Sequence, residues 1–214
     1  INSTGLAKLD KAQGEDLVWT FKTTVKTIGD GVIKNSASVM VNKPSGTWDD
    51  DGVASNEVTS NWGAIKINKF ENTDAKKALS GAIFQVFGSE AAANTCKAAV
   101  EAVKGTLTAG CADAISVYRN AAGAEISGGQ NQFTTDENGT VTIPGVHVGI
   151  NAYQSQGYWL VEIVPPAGFI NANKVYPVTV TAGGVTETGT LGEEGYVPGP
   201  VTQDVANAQE PPTT

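Results

Sequence analysis

Apolar and polar residues alternate in several short stretches of this chain, and residues that favour turns separate the stretches. In WGAIKINKF, residues 62–70, the side chains of Ile65, Ile67 and Lys69 share one face, because side chains along a strand alternate with a period of two. These features predict a mostly β protein. Similar alternation or short apolar runs follow in SGAIFQVFGS, AISVYRNAAG, NQFTTDENGTVTIPGV, GYWLVEIVPP, KVYPVTVT and VTQDVANAQ.

One segment departs from this pattern and predicts a helix. In SEAAANTCKAAVEAVKG, residues 89–105, Ser89 can cap the first turn, the interior is rich in alanine, and Gly105 can end the helix. We expect this helix and the loop after it to be an insertion between strands. The two cysteines, Cys96 and Cys111, favour a disulfide over free thiols, because their number is even and the chain resembles a secreted protein. Such a bridge would staple the insertion and contribute on the order of 3 kcal/mol.

The chain divides into a fragment, a linker, a domain and a tail. Residues 1–43 are interpreted as the final strands of a preceding β-sandwich domain whose beginning is missing, with a hairpin formed by DLVWTFKTTVKT and VIKNSASVMVN around GDG. Residues 44–61 are polar, acidic and rich in glycine, which predicts a linker. The second domain covers residues 62–210, and residues 211–214 form an extended tail.

In the linker, Asp49–Asp51 could hold calcium, although the ligand spacing of an EF-hand is absent and a solvated acidic turn is the alternative.

Composition argues against several classes of function. The formal charge is −8, from 22 acidic and 14 basic residues without a basic cluster, so neither a nucleic-acid partner nor docking on an anionic membrane is expected. No apolar run approaches the roughly 18 residues of a membrane-spanning helix. The single histidine, His147, is interpreted as a partly exposed residue at a strand end, and no metal or other cofactor is predicted. An enzyme acting on an external substrate lacks support, since no nucleophile elbow or phosphate-binding loop is present.

Three polar residues interrupt strands that otherwise have the pattern of a core. Lys69 is in phase with two isoleucines, Glu162 lies within the apolar run YWLVEIV, and Asn207 is in phase with Val201 and Val205. Lysine and glutamate are rarely buried without a partner, so their positions need a specific reason. We predict that the three side chains meet in the interior.

An amine, a carboxyl and a carboxamide in one apolar interior can react. Burial disfavours charged forms, so the lysine pKa falls, the glutamate pKa rises, and the neutral amine becomes a nucleophile. A protonated Glu162 would donate a hydrogen bond to the carboxamide oxygen of Asn207 and transfer protons while Lys69 attacks and ammonia leaves. The predicted product is a self-catalysed isopeptide bond between the first and last strands of the domain, and it forms once per chain.

A purely structural alternative exists for the same residues. In this alternative Lys69 extends toward solvent, Glu162 forms an ion pair with it, and Asn207 satisfies backbone groups near the end of the chain. Lys66 is a rival nucleophile and Asp204 a rival acceptor, but the alternation of strand side chains places both on the opposite face.

The stretches GAIKINKFENTDAKKALSGAIFQVF, TTDENGTVTIPGV, GYWLVEIVPPAGF and VANAQ resemble the collagen-adhesin B-type (CNA-B) domain of Gram-positive surface proteins and pilins. The resemblance covers roughly residues 62–210 and implies an immunoglobulin-like β-sandwich. In that family a reactive lysine lies just before the first turn, a glutamate lies in a strand that ends in Pro-x-Gly-aromatic, and an asparagine lies in the last strand; the lysine and the asparagine form an isopeptide bond, and the glutamate assists it. The matching residues here are Lys69, Glu162 and Asn207.

The helical insertion with its cysteines is similar to the C-terminal domain of sortase-assembled major pilins of actinobacteria. This resemblance implies a structural subunit of a pilus on the Gram-positive cell wall, joined covalently to neighbouring subunits by sortase, with a host-surface ligand as a further partner. The alternative is a stalk or ligand-binding domain of a non-pilus adhesin anchored to the cell wall.

Residues 1–43 likewise resemble the end of a preceding pilin domain, in which Asn35 would be the acceptor for a lysine outside this chain. Two features depart from the pilin pattern. The sortase signal LPxTG is absent, and Lys43 in VMVNKP only faintly resembles the lysine that joins one pilin to the next.

Overall fold

The structure, a computed structural model, describes residues 18, 20, 22–40, 52–152 and 154–212. Strands predominate in these ranges, which confirms the all-β prediction. The described residues form thirteen strands and one helix, namely β1 (Val32–Asn35), β2 (Ser38–Val39), β3 (Val53–Ala54), β4 (Val58–Glu71), β5 (Ile83–Phe87), α1 (Glu90–Ala102), β6 (Val117–Arg119), β7 (Glu125–Gln130), β8 (Phe133–Thr134), β9 (Thr140–Ile150), β10 (Ser155–Val164), β11 (Phe169–Ile170), β12 (Val175–Thr181) and β13 (Val201–Gln209).

Strand β4 organises the first sheet. Strand β9 pairs with it in antiparallel orientation over most of its length. Its N-terminal end also pairs with β1, and its C-terminal half pairs with β13 in parallel orientation. The short strand β11 extends the sheet beyond β13. The first long strand of the domain and its last strand are therefore neighbours.

The second sheet has the order β12-β10-β5-β8 and packs face to face against the first. The core between the two sheets consists of alternate residues from both, as expected for a sandwich. Two further pairs, β2 with β3 and β6 with β7, form small separate ladders. The buried core between the sheets includes Ile65, Ile67, Phe84, Val86, Phe133, Ile143, Leu160, Val180 and Val205.

The predicted helical insertion is present and covers the outer face of the second sheet. Ser89 caps α1 by accepting a hydrogen bond from the Ala92 N–H at 3.3 Å. After the helix, the left-handed backbone of Gly105 lets its N–H donate to the Val100 carbonyl. The disulfide Cys96–Cys111 confirms the predicted bridge. No helix in the described ranges has the length and apolar character needed to span a membrane.

The beginning of the chain differs from the predicted hairpin. The described residues of the first predicted strand form no strand, and β1 pairs with β4 instead. Ile28 is buried, and the carbonyl of Gly31 accepts a hydrogen bond from the Trp62 N–H, so this segment is held against the second domain. Strand β4 begins at Val58, within the predicted linker. The division into domains remains a prediction, and Lys43 and Asp49–Asp51 lie outside the described residues.

Candidate functional site

Lys69, Glu162 and Asn207 lie together between the two sheets, as the alternation of the strands predicts. Lys69 is 1% exposed, Glu162 2% and Asn207 1%. Lys69 and Asn207 come from the neighbouring strands β4 and β13, and Glu162 faces them from β10 in the opposite sheet. Because Val161 and Ile163 pack toward α1, the side chain of Glu162 between them points to the sandwich interior.

Glu162 contacts both other members of the site. The Asn207 Nδ2 group donates to Glu162 Oε2 at 2.8 Å and to Oε1 at 3.0 Å. The Lys69 Nζ atom lies 3.7 Å from Glu162 Oε1 and donates to the backbone carbonyl of Val205 at 3.4 Å. The carboxyl group thus links the amine and the carboxamide.

Only the nitrogen of the Asn207 side-chain amide has hydrogen-bond partners in this arrangement. Its Oδ1 atom is buried and has no hydrogen-bond partner among the described residues. The amide nitrogen, rather than the oxygen as the sequence suggested, faces Glu162, because an ionised carboxylate can only accept hydrogen bonds. A half-turn about the Cβ–Cγ bond would bring Oδ1 to Glu162 once that carboxyl is protonated. In the arrangement observed here, this unpaired buried acceptor costs about 1 to 3 kcal/mol.

The protein interior shifts the pKa values of the two ionisable groups toward each other. Burial raises the pKa of Glu162 to about 7, against the charge of Lys69 and the hydrogen bond from Asn207, which lower it. Burial also lowers the pKa of Lys69, with the charge of Glu162 opposing the shift. The form with a neutral amine and a protonated acid is therefore more accessible near neutral pH than in water.

The backbone of Lys69 is fixed on both sides by the turn regions next to β4. Its N–H donates to the carbonyl of Gly139 at 2.7 Å, and its carbonyl accepts from the Leu79 N–H at 3.0 Å. A β-carbon at position 139 would lie only 2.3 Å from the Lys69 carbonyl oxygen, so glycine is required for this close approach. The turn at Gly139 thus helps to position the amine.

Several residues beside Glu162 were not identified from the sequence. The N–H of Ala172 acts on its carboxyl group and lowers the carboxyl pKa, and the amide of Asn171 donates to its backbone carbonyl at 2.8 Å. Burial, followed by the charge of Glu162, raises the pKa of Tyr176 to about 12, so this phenol stays protonated. The asparagines in NANK were the only sequence signal for this loop, and such residues indicate a turn rather than its partner.

The rival residues lie elsewhere, as predicted. Lys66 is on the opposite face of β4. Asp204 is exposed and accepts a hydrogen bond from Asn68 Nδ2 at 3.0 Å. Asn35 is exposed in β1, which forms an edge of the sheet there. Its role as an acceptor for an external lysine remains a prediction.

His147 lies within β9 rather than at its end, and its side chain is exposed. Its ring packs edge-on against Trp62 at 5.1 Å, and its backbone carbonyl accepts a hydrogen bond from the Tyr158 hydroxyl. In the part of the chain that the structure describes, no group of three or more histidine, cysteine or acidic residues is arranged to hold a metal ion.

The site brings together a buried amine, a carboxyl group and a carboxamide. A buried amine can displace ammonia from a carboxamide when a neighbouring acid carries protons between them. The same contacts would also exist in a buried ion pair with a hydrogen-bonded asparagine, which is the structural alternative.

Comparison with known proteins relates this chain to bacterial fimbrial subunits. The fimbrial subunit type 2 of Actinomyces naeslundii is 28% identical over an alignment of 215 residues, covering 87% of this chain and 36% of that protein. The chain therefore spans little more than a third of that relative's length.

Two solved structures share the fold. Domains D2 and D3 of the major pilin SpaD from Corynebacterium diphtheriae match with a TM-score of 0.53 and 23% identity, over 86% of this chain and 60% of that one. Full-length SpaD matches with a TM-score of 0.54 and 22% identity, over 87% of this chain and 40% of that one. A family model described as the SpaA prealbumin-like fold domain matches residues 63–194, more than half of the chain. The chain therefore belongs to the SpaA family of prealbumin-like fold domains.

Proposed function

We propose that this chain is part of a structural subunit of a bacterial surface pilus, stabilised by an isopeptide bond between Lys69 and Asn207. The observation that carries the proposal is the buried contact of Glu162 with both of these residues. The fimbrial subunit of Actinomyces naeslundii and the major pilin SpaD support the assignment to a pilus. In this proposal the subunit lies outside the cell and is joined by sortase to its neighbours and to the cell wall.

The first step is nucleophilic addition. The neutral Nζ of Lys69 attacks the side-chain carbonyl carbon of Asn207 while protonated Glu162 donates to Oδ1, which gains negative charge. Val205 supports this geometry, because its carbonyl accepts a hydrogen bond from Lys69 Nζ and directs the amine along β13 toward Asn207. Burial removes water that would compete for the amine.

The second step expels ammonia. Glu162 accepts a proton from the attacking nitrogen and delivers one to Nδ2 of Asn207, so that the carbon–nitrogen bond to Nδ2 breaks and neutral ammonia leaves. One amide is consumed, one amide is formed, and Glu162 returns to its initial state. The folded chain supplies the proximity of the groups, which can lower a barrier by about 7 kcal/mol or more when they are held at attack distance.

The location of the bond suits a load-bearing subunit. Strands β4 and β13 are parallel neighbours, and Lys69 and Asn207 are near the C-terminal end of each strand. A pulling force that enters through β4 would cross the bond and leave through the end of β13. The strands between them in sequence, including β5, β9, β10 and β12, would not be extended.

The assembly into a pilus is tested on the source bacterium. Cell-wall extracts boiled in denaturant and probed with an antibody against this domain are expected to show a ladder of covalent polymers. Deletion of the sortase gene should reduce the ladder to a single band. A single band in the parent strain would contradict the pilus and favour an adhesin stalk with the same internal bond.

The internal bond is tested by peptide mapping of the purified protein. Digestion and tandem mass spectrometry should yield a branched peptide that joins Lys69 to Asn207. A branched peptide that uses Lys66 or Asp204 would instead contradict the assigned residues.

A further inference from the structure

Glu162 lies where the regular pairing of β10 with its two neighbouring strands ends or becomes irregular. Its pairing with β12 ends at Val161, opposite Val175, and its pairing with β5 is irregular between Glu162 and Val164. The backbone carbonyl of Glu162 accepts a hydrogen bond from Asn171 Nδ2 at 2.8 Å. A side-chain amide thus takes the place of a neighbouring strand, which matters because buried carbonyl groups need a partner.

The amide of Asn171 makes two further hydrogen bonds. Its Nδ2 group also donates to the carbonyl of Gly105 at 3.0 Å, and its Oδ1 atom accepts from the Asn173 N–H at 2.8 Å. The second bond closes a turn around Ala172, whose N–H acts on the Glu162 carboxyl group and lowers its pKa. One residue therefore supports both the backbone and the side chain of Glu162.

Gly105 connects this arrangement to the helical insertion. It follows α1, and two residues later the Leu107 N–H donates to the carbonyl of Ile163 at 2.7 Å. The insertion is thus attached to β10 at Ile163 directly and at Glu162 through Asn171. Its disulfide, Cys96–Cys111, closes the segment that contains both attachments.

We propose that Asn171 is a positioning residue for isopeptide formation, which orients the Glu162 carboxyl toward Lys69 and Asn207. Asn171 acts through the Glu162 backbone and through the Ala172 N–H, and it takes no part in the bond changes. This inference rests on the proposed isopeptide reaction.

The test measures how fast the bond forms in newly made chains. The full chain is produced by cell-free synthesis, transferred to buffer, and sampled for the species that has lost one ammonia. Asn171→Ala is expected to slow the reaction roughly tenfold or more, since small misplacements of reacting groups have effects of this size. Asn68→Ala is the control, because it removes an amide that links β4 and β13 through Asp204 on the outer face.

Asn171→Asp separates the role of the amide as a hydrogen-bond donor from its role as an acceptor. An aspartate keeps the acceptor that closes the turn with the Asn173 N–H, but it cannot donate to the carbonyls of Glu162 and Gly105. We expect it to react slowly, as the alanine variant does. A normal rate in Asn171→Asp would show that the turn alone matters and would overturn the proposed role of the donor.

A pH profile distinguishes positioning from general destabilisation. The Ala172 N–H lowers the pKa of Glu162, so its displacement in Asn171→Ala should move the alkaline limit of the reaction to higher pH. The titratable groups that act on Glu162 from neighbouring strands are Lys69 and Tyr176, and the substitution leaves both in place. A reduced rate with an unmoved profile would contradict the proposal.

Folding is checked in a Lys69→Ala background, where no bond can form and thermal unfolding reports folding alone. If Asn171→Ala does not fold, Asn171→Asp carries the test, and failure of both to fold would assign Asn171 a structural role instead. If the unmodified chain itself never loses ammonia, the proposed reaction fails. Equal rates in that chain and in Asn171→Ala would overturn only the inference about Asn171.

Discussion

Lys69 and Asn207 lie diagonally opposite each other on one face of two parallel strands. The residue directly opposite Lys69 is Val205, and Asn207 lies opposite Glu71, two residues further along. Lysine has a side chain long enough to extend along this diagonal, and the carbonyl of Val205 already accepts a hydrogen bond from its amine. The parallel pairing of β4 and β13 therefore makes the cross-link geometrically accessible.

Replacement of the lysine should lower stability. Lys69→Met retains an unbranched apolar stem but removes the amine, so the bond cannot form. By the chain-entropy model used for disulfides, a cross-link that closes a loop of this size contributes roughly 5 kcal/mol. We expect the midpoint of thermal unfolding to fall by roughly 10 to 20 °C. Lys66→Met, on the opposite face of β4, is the control and should change the midpoint little; equal effects of the two substitutions would contradict a cross-link at Lys69.

The Lys69→Met variant should also be more stable in mild acid than at neutral pH. Burial raises the pKa of Glu162 from 4.5 to about 7, and this variant lacks the lysine charge that opposes the shift. The folded chain then keeps a proton that the unfolded chain releases as pH rises above about 4.5, so stability falls through that window. The expected loss by pH 8 is roughly 3 kcal/mol, measured by urea unfolding.

A second substitution assigns that pH dependence to Glu162. Adding Glu162→Gln to Lys69→Met removes the titrating group and should make stability nearly independent of pH over the same window. A slope that persists in the double variant would mean that Glu162 is not the buried acid responsible.

The turn at Gly139 should matter more than other turns with the same backbone conformation. Gly139 has φ +71°, and a β-carbon there would meet the Lys69 carbonyl oxygen at 2.3 Å. Gly168 has φ +81°, but a β-carbon there would meet nothing within 4 Å. Gly168→Ala should therefore show only the cost of a left-handed alanine, about 1 to 2 kcal/mol.

Gly139→Ala should have the larger effect, because Lys69 or the turn must move as well. It is expected to unfold at a lower temperature than Gly168→Ala and to form the isopeptide bond more slowly. Equal unfolding temperatures and equal reaction rates would show that the close approach to Lys69 is not important.

Local periodicity predicted much of the site. The phase of Lys69 with Ile65 and Ile67, and of Asn207 with Val205, indicates buried faces because strand side chains alternate. The same rule placed Lys66 and Asp204 outside. The helix and its cap were also predictable, since Ser89 and Gly105 are local signals.

The features that could not be predicted from the sequence depend on contacts between distant segments. The exposure of Asn35 follows from the pairing of β1 with β4, which no local pattern specifies. The contact of Asn171 with Glu162 arises because β10 loses its partner strand at that residue, and the sequence of either segment alone does not show where that happens. The orientation of the Asn207 amide likewise depends on the charge of Glu162.

The most direct measurement is the intact mass of the purified chain after reduction of its disulfide. We predict a mass lower than that calculated from the sequence by one ammonia, and the full calculated mass for Lys69→Met and for Glu162→Gln. Glu57→Gln, at an exposed residue that pairs with Lys34 on the surface, should still lose ammonia. A full, unmodified mass in the parent chain would contradict the isopeptide bond and would leave Lys69 and Glu162 as a buried ion pair.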